Sequence, residues 1–363
     1  MKIKVLIIDD TIFYRKIISD VLAGFPNVEV VGSANNGEIA LARIRSLHPD
    51  LVTLDVEMPV KNGLEVLHDI LRENLNVDCL MVSSKTERGG EITMEALELG
   101  AFDFITKPDS ASPEINLAIL SKEFGRVLTS FSRRLEMRKK LGTKGPAGRS
   151  PAKANIAVQP AEIKRFMSQA KRHEKSQAVA IGISTGGPNA LTRMLPRLPA
   201  DIGVPLFLVQ HMPSFFTSAL AKNLNGKCPL LVKEAENGET VHENTVYIAP
   251  GGKHMKVASS SDLQKIIRIT DDAPENNCKP AVDYLFRSMA REYGSKATCV
   301  IMTGMGSDGK LGCTVTKASG AVIIAQDEAS SVVYGMPKAI VDAGLADIIA
   351  PLDKIADEIL ATV

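Results

Sequence analysis

Short apolar runs alternate with amphipathic stretches from the first residues onward. Ile3–Ile8, Val28–Val31, Leu51–Leu54, Cys79–Val82 and Phe102–Ile105 are brief and β-rich. Between them the apolar positions follow a helical period. Phe13, Ile17 and Val21 share a face with Ile18 and Leu22, and Gly24 and Pro26 stop that stripe. Ala40, Ile44 and Leu47 make a second stripe. Five such strands predict a five-stranded, doubly wound parallel sheet with helices on both faces. A last helix is expected from Pro113 to about Met137.

The pattern then breaks. Glycines and prolines at 142, 145, 146, 148, 151 and 160 interrupt any period, and Arg133 to Lys175 carries 13 Lys/Arg against three Asp/Glu. This reads as a flexible basic linker with a short helix at Ala161–Ala170. Such a linker serves as solvated spacing or as an attraction to acidic partners or an anionic surface. Alternation resumes with Ala178–Ile183, Val204–Val209, Thr298–Met302 and Ala321–Ala325. Leu230–Val232, Thr245–Ala249 and Leu263–Thr270 look like hairpin strands. The expected fold is α/β in both halves, the second having a mostly parallel sheet with an antiparallel hairpin insertion. The expected division is 1–125, a linker with the helix end at 126–176, and 177–363.

Composition narrows the function. Net charge is +1, Trp is absent and aromatics make up 4%, so neither a basic surface nor a stacking platform for nucleic acid is expected. The five cysteines (Cys79, Cys228, Cys278, Cys299 and Cys313) show no CxxC or Cys/His spacing, against a zinc site or a disulfide framework. The apolar start is too short for a signal peptide and no run reaches membrane length. A cytoplasmic protein without membrane insertion is expected.

Candidate chemistry sits at strand ends. Asp9 and Asp10 follow the first strand, Asp55 the third, Ser83 the fourth and Lys107-Pro108 the fifth. In a doubly wound sheet these ends share one edge. Crowded carboxylates repel, and a hard divalent cation such as Mg²⁺ removes the conflict. With a hydroxyl and a lysine beside it, such a cluster can move a phosphoryl group onto a carboxylate.

In the second half Gly182-Ile183-Ser184-Thr185-Gly186-Gly187-Pro188 puts a serine between glycines after a strand and before a helix, as an exposed nucleophile requires. A helix cap or a phosphate-binding glycine loop would use the same residues. A nucleophilic serine needs a base, and the base an orienting acid. His211 follows the next strand and Asp308 a later one, so all three can meet on one edge. His254, after Ala249-Pro250-Gly251-Gly252, is the rival base.

The first 125 residues resemble the response-regulator receiver family, through Ile8-Asp9-Asp10, Leu54-Asp55-Val56-Glu57-Met58-Pro59, Asn62-Gly63, Val82-Ser83-Ser84 and Phe104-Ile105-Thr106-Lys107-Pro108. The resemblance implies a flavodoxin-like fold with Asp55 as phosphoacceptor. Asp10, Asp55 and the Glu57 carbonyl would hold Mg²⁺, with Asp9 in support. Ser83 and Lys107 would contact the phosphoryl oxygens. The Lys107–Pro108 bond would be cis, and Phe104 would be an aromatic rotamer switch or simply a buried ring.

The whole chain resembles the chemotaxis response-regulator protein-glutamate methylesterases, through Gly182–Pro188, Gln210–Pro213, Ala249–Met255, Thr303–Gly309 and Val333–Pro337. That resemblance implies a phosphorylation-regulated hydrolase removing methyl groups from glutamyl esters on chemoreceptor helices, and often deamidating glutamines, with no cofactor for the esterase step. Its partners would be methylated chemoreceptors and a chemotaxis histidine kinase, and the chain itself monomeric. The backbone N–H of Met305 and the hydroxyl or N–H of Thr185 are the expected oxyanion donors. Two rivals are a transcriptional regulator, which would need a helix-turn-helix output, and a catalytically silent adaptor.

Overall fold

The structure is a computed structural model that describes residues 2–141 and 174–363. The expected helix at Ala161–Ala170 and most of the basic linker lie outside the described residues.

The first sheet is built from β1 (Ile3–Ile8), β2 (Val28–Ala34), β3 (Leu51–Asp55), β4 (Asp78–Ser83) and β5 (Asp103–Thr106). Its order is β2-β1-β3-β4-β5, all parallel. Helices α1 (Ile12–Ala23), α2 (Gly37–Leu47), α3 (Gly63–Arg72), α4 (Glu87–Leu99) and α5 (Pro113–Leu141) cover it. The near-continuous burial of β1, β3 and β4 explains why they read as unbroken apolar runs instead of alternating ones. Thr11, Asn36, Asn62 and Thr86 cap the first four helices, Asn62 in a reciprocal box with Glu65. Helix α5 runs on to Leu141, past the expected end near Met137, because nothing breaks the helix before Gly142. Val127, Leu128 and Phe131 of α5 pack in the first sheet's core, so the helix end beyond residue 125 is packed against the first half.

The second sheet has β6 (Ala178–Ile183), β7 (Leu206–Gln210), β8 (Leu231–Glu234), β9 (Thr245–Ile248), β12 (Ala297–Ile301), β13 (Val322–Gln326) and β14 (Ile348–Ala350). Its order is β14-β13-β12-β6-β7-β9-β8 and every pairing is parallel. The antiparallel insertion is the separate pair β10 (His254–Ser259) and β11 (Lys265–Thr270). The segments at 230–232 and 245–249 do not form hairpins. They extend the main sheet, since β9 is buried along its length and the chain between them is long enough to cross over. Helices α6 (Gly187–Met194), α7 (Ser214–Asn225), α8 (Val282–Glu292), α9 (Lys310–Ala318), α10 (Met336–Asp342) and α11 (Leu352–Thr362) flank it.

Each sheet reverses direction once. In the first, β1 is flanked by β2 and β3; in the second, β6 is flanked by β7 and β12. In folds of this kind ligands bind at such switch points, beyond the carboxyl ends of the strands. The cis peptide among the described residues is Lys279–Pro280, so the Lys107–Pro108 bond expected to be cis is not.

The two halves also touch. α4 lies against α7: Gly90 approaches Phe215 and Ala219 so closely that a Cβ would stand 3.3 Å from the Ala219 methyl. Phe104 of β5 stacks on Phe216 of α7 with centroids 4.4 Å apart. Lys222 pairs with Glu87 and Glu91, and Lys227 with Glu98. Asn189 of α6 donates to the Leu97 carbonyl.

Gly63 opens α3 directly beneath the end of β3, and a Cβ there would lie 2.2 Å from the Asp55 carbonyl oxygen. Gly63→Ala should therefore destabilise the first half by about 1–3 kcal/mol, read as a lower urea midpoint; an unchanged midpoint would show that this contact relaxes freely.

Candidate functional site

Two sites lie at the two switch points. At the first, Asp9 and Asp10 leave β1, Asp55 ends β3 and Lys107 follows β5. Carboxylate oxygens of Asp9, Asp10 and Asp55 lie within 4.8 Å of one another. Lys107 Nζ sits 2.7 Å from Asp55 Oδ2 and 2.8 Å from Asp9 Oδ2. Burial pushes the Asp55 carboxyl up to about 6, although Lys107 pulls it the other way. Asp9 Oδ2 is buried and has a neighbouring cation but no well-directed hydrogen bond. Three carboxylates crowded at one strand edge, with one Asp9 oxygen lacking a directed hydrogen bond, suit an oxygen-seeking cation, so the residues present fit Mg²⁺. Glu57 contributes a backbone hydrogen bond to Asp55, and its side chain points to solvent. Ser83 is fully buried with its hydroxyl turned to the Gly89 carbonyl at 3.2 Å, so reaching a phosphoryl oxygen would require it to rotate.

At the second switch point Ser184 follows β6, His211 follows β7 and Asp308 lies in the loop after β12. Ser184 is 6% exposed. Its N–H donates to the Thr303 carbonyl, and its own carbonyl accepts from Gly187 N–H and from Gln210 Nε2 at 3.0 Å. Small neighbours are obligatory here. A Cβ on Gly187 would meet Gln210 Oε1 at 1.9 Å, and one on Gly304 would lie 2.8 Å from Ser184 Cβ. Gly186, at φ +76°, makes the turn between strand and helix.

His211 Nε2 lies 2.8 Å from Asp308 Oδ2. Asp308 also accepts from Val282 N–H and Asp283 N–H at the start of α8, from Gly309 N–H and from Asn276 Nδ2. Burial opposes its charge, but His211 and the helix-terminal N–H groups win and hold its pKa below the ordinary carboxylate value. Asp283, bridged to Asp308 through Asn276, is pushed the opposite way, chiefly by burial. The ring's other nitrogen, Nδ1, faces Cys278 Sγ at 3.7 Å. Burial would lower the His211 pKa, yet Asp308 and Cys278 outweigh it and hold the imidazole at about 9. Among the described residues no hydrogen bond joins Ser184 Oγ to His211.

His254 is not available as a base. It is wholly buried, with Nε2 directed at the Ala273 carbonyl and Nδ1 accepting from Ala281 N–H. Its ring stacks on Tyr284. It holds the loop before α8 in place. Thr185 and Met305 border Ser184, and both are touched by α5: Arg126 donates to Thr185 Oγ1 at 3.2 Å while paired with Asp103, and Ser130 Oγ approaches Met305 Sδ at 3.6 Å. Sequence reasoning missed Arg126, Asn276 and Cys278. The two neighbouring asparagines, Asn276 and Asn277, both at positive φ, are the one local signal that their loop is specially shaped.

Residues 179–359 match the family described as CheB methylesterase, and residues 5–118 the response regulator receiver domain. A protein-glutamate methylesterase/protein-glutamine glutaminase of Desulfotalea psychrophila is 50% identical over 362 residues, covering 99% of this chain and 98% of that one. One of the same name from Bacillus subtilis is 44% identical over 366 residues, covering 99% of this chain and 98% of its own. The solved CheB methylesterase catalytic domain of Thermotoga maritima is similar at 40% identity with a TM-score of 0.51, covering 52% of this chain and all of that one.

Two outcomes are expected. The imidazole acts as a base only when neutral, so a pKa raised to about 9 makes kcat/KM climb with pH through neutrality and level off above that value; a plateau already reached near pH 6.5 would contradict the raised pKa. Asn276→Ala should lower kcat by about 10- to 100-fold with little change in KM, because it frees the acid that holds the ring; an unaltered kcat would remove Asn276 from that role.

Proposed function

The chain belongs to the CheB methylesterase family and carries a response regulator receiver domain, and on that premise we propose that it hydrolyses glutamyl methyl esters on chemoreceptors under phosphorylation control. The observation that supports this reading is the 2.8 Å pairing of His211 with Asp308, on the strand edge where Ser184 follows β6. The same chemistry extends to deamidation of receptor glutamines.

Ser184 Oγ attacks the side-chain carbonyl carbon and His211 accepts its proton. Since Asp308 occupies Nε2, the accepting nitrogen is Nδ1. The carbonyl oxygen becomes an oxyanion that the Met305 N–H and Thr185 receive. His211 returns the proton to the departing methanol, or to ammonia from a glutamine. Water, deprotonated by the same histidine, then releases the glutamate and restores Ser184. Asp308 keeps the ring in one tautomer and stabilises the imidazolium. These steps use the chain's own groups throughout.

Asp55 accepts the phosphoryl group from a chemotaxis histidine kinase. Asp10, Asp55 and the Glu57 carbonyl would hold Mg²⁺, Asp9 supporting them, and the bound ion neutralises charge on the phosphoryl oxygens. Ser83 and Lys107 contact those oxygens afterwards. The adaptor reading loses ground to the joined His211 and Asp308. No helix among the described residues is long and apolar enough to cross a membrane; the expected cytoplasmic site of action agrees with a receptor substrate presented on the cytoplasmic side.

Regulation follows from the contact between the halves. Arg126 and Ser130 of α5 engage the expected oxyanion residues, and Phe104 stacks on the helix that follows His211. Substrate cannot reach Thr185 and Met305 while α5 lies over them. Pulling Lys107 and Ser83 toward a phosphoryl group at Asp55 shifts β5 and the start of α4, the elements that hold α7. A differential of a few kcal/mol opens such an interface.

Ser184→Ala should abolish methanol release from methylated receptor membranes by ~10⁴-fold or more; activity within about tenfold of the parent would remove Ser184 from the mechanism. Residues 177–363 alone, and Arg126→Ala in the full chain, should both exceed the unphosphorylated parent in methanol release. A phosphodonor with Mg²⁺ should stimulate the parent and leave Asp55→Asn unmoved. Equal rates for the isolated half and the unphosphorylated chain would exclude steric inhibition.

A further inference from the structure

Cys278 takes no part in the reaction described, yet its sulfur stands beside the catalytic imidazole. The loop that presents it is tightly closed: Cys278 N–H donates to the Glu275 carbonyl at 2.7 Å, Glu275 N–H returns the bond at 3.1 Å, and Asn276 and Asn277 between them both adopt positive φ. Asn276 fastens that loop to Asp308 and Asp283. The thiol is therefore held in place, half-buried and reachable from solvent. Its sulfur, a His211 ring nitrogen and an Asp308 oxygen all lie within 4.8 Å of one another.

The spacing has a chemical meaning. A tetrahedral zinc with one nitrogen and one sulfur ligand at ordinary bond lengths holds those two atoms about 3.6 Å apart. Cys278 Sγ and His211 Nδ1 are 3.7 Å apart. The opposite ring nitrogen meets a carboxylate at 2.8 Å, and metal-bound histidines are usually buttressed from behind in this way. Both features exist without any rearrangement of the ring.

We propose that Cys278 Sγ and His211 Nδ1 form a site for a thiophilic divalent cation, Zn²⁺ or its analogue Co²⁺, whose occupancy reversibly silences the esterase. Asp308 orients the ring and is not a ligand; water completes the tetrahedron. A thiolate–imidazole pair selects Zn²⁺ or Co²⁺ over Mg²⁺, which the carboxylates around Asp55 suit instead. On binding, the thiol loses its proton, and so does the imidazole where it is charged, so binding releases protons and tightens as pH rises. With Nδ1 occupied, no base remains to take the Ser184 proton. The silencing rests on the proposed esterase mechanism, whereas the binding does not.

The experiment uses the full chain in excess Mg²⁺, which fills the carboxylate cluster. Co²⁺ is titrated against the parent, Cys278→Ser, Cys278→Ala and Cys228→Ser while the near-ultraviolet thiolate-to-cobalt band is followed. Methanol release from methylated receptor membranes is then measured with Zn²⁺ and after adding a chelator, each variant compared with its own zinc-free rate. The parent and Cys228→Ser should show the band at one Co²⁺ per chain and lose activity at least about tenfold in micromolar Zn²⁺, with recovery on chelation. Both Cys278 variants should lack the band and lose less than about twofold. A band that survives in the Cys278 variants, a parent without one, or equal zinc inhibition in all four proteins would overturn the proposal. A parent that shows the band but has no esterase activity without zinc would instead count against the esterase reading and leave the cation site standing.

Discussion

The Asp308 carboxylate accepts from five donors drawn from four places in the chain: the His211 ring after β7, Asn276 in the loop before α8, the first two N–H groups of α8, and Gly309 beside it. An ionised carboxylate buried to this degree is costly without such partners. The same partners make it a knot. Its position fixes the start of α8, the plane of the imidazole and the loop that carries Cys278. Once Nε2 is committed to Asp308, Nδ1 is the nitrogen left for chemistry. The polarity of the His211 ring is thus decided by where α8 begins, some distance in sequence from either partner.

Around that knot the protein repeats one architectural device with different chemistry. In each half a parallel sheet reverses direction beside its first strand, and polar side chains from successive strands lie at that edge. The first edge gathers acid and a single lysine, suited to a cation and a phosphoryl group. The second gathers a hydroxyl, an imidazole and a well-satisfied carboxylate, suited to acyl transfer. The halves touch through elements next to both sites. Phe104 lies three residues before Lys107 and stacks on Phe216, five residues after His211. Arg126, held by Asp103 at the start of β5, reaches Thr185 next to Ser184. β5 is thereby linked to both Thr185 and the helix after His211.

Residues that follow strands directly were legible in the sequence. Asp9, Asp55, Ser184 and His211 each sit at the end of a recognisable apolar run, and the parallel-sheet rule places such ends on one edge. Sequence reasoning failed where tertiary packing decides. The segments at 230–232 and 245–249 are short and strand-like, and only the crossover between them shows that they pair in parallel. His254, rightly set aside in favour of His211 but not separable from it by pattern alone, has both its nitrogens spent on backbone groups. Cys278 and Asn276 belong to an irregular loop that no period describes. Arg126 is one cation among many on α5, and only folding brings it from one half to Thr185, beside Ser184, in the other.

The central claim is that Ser184 is the nucleophile, activated by His211 Nδ1 under the hold of Asp308. Its most direct test is the site of reaction with a serine-directed fluorophosphonate, mapped by peptide mass spectrometry on the phosphorylated full chain. The account predicts a single adduct on Ser184, formed far more slowly in His211→Gln and Asp308→Asn. An adduct on another residue, or labelling of Ser184 at the parental rate in both variants, would contradict it.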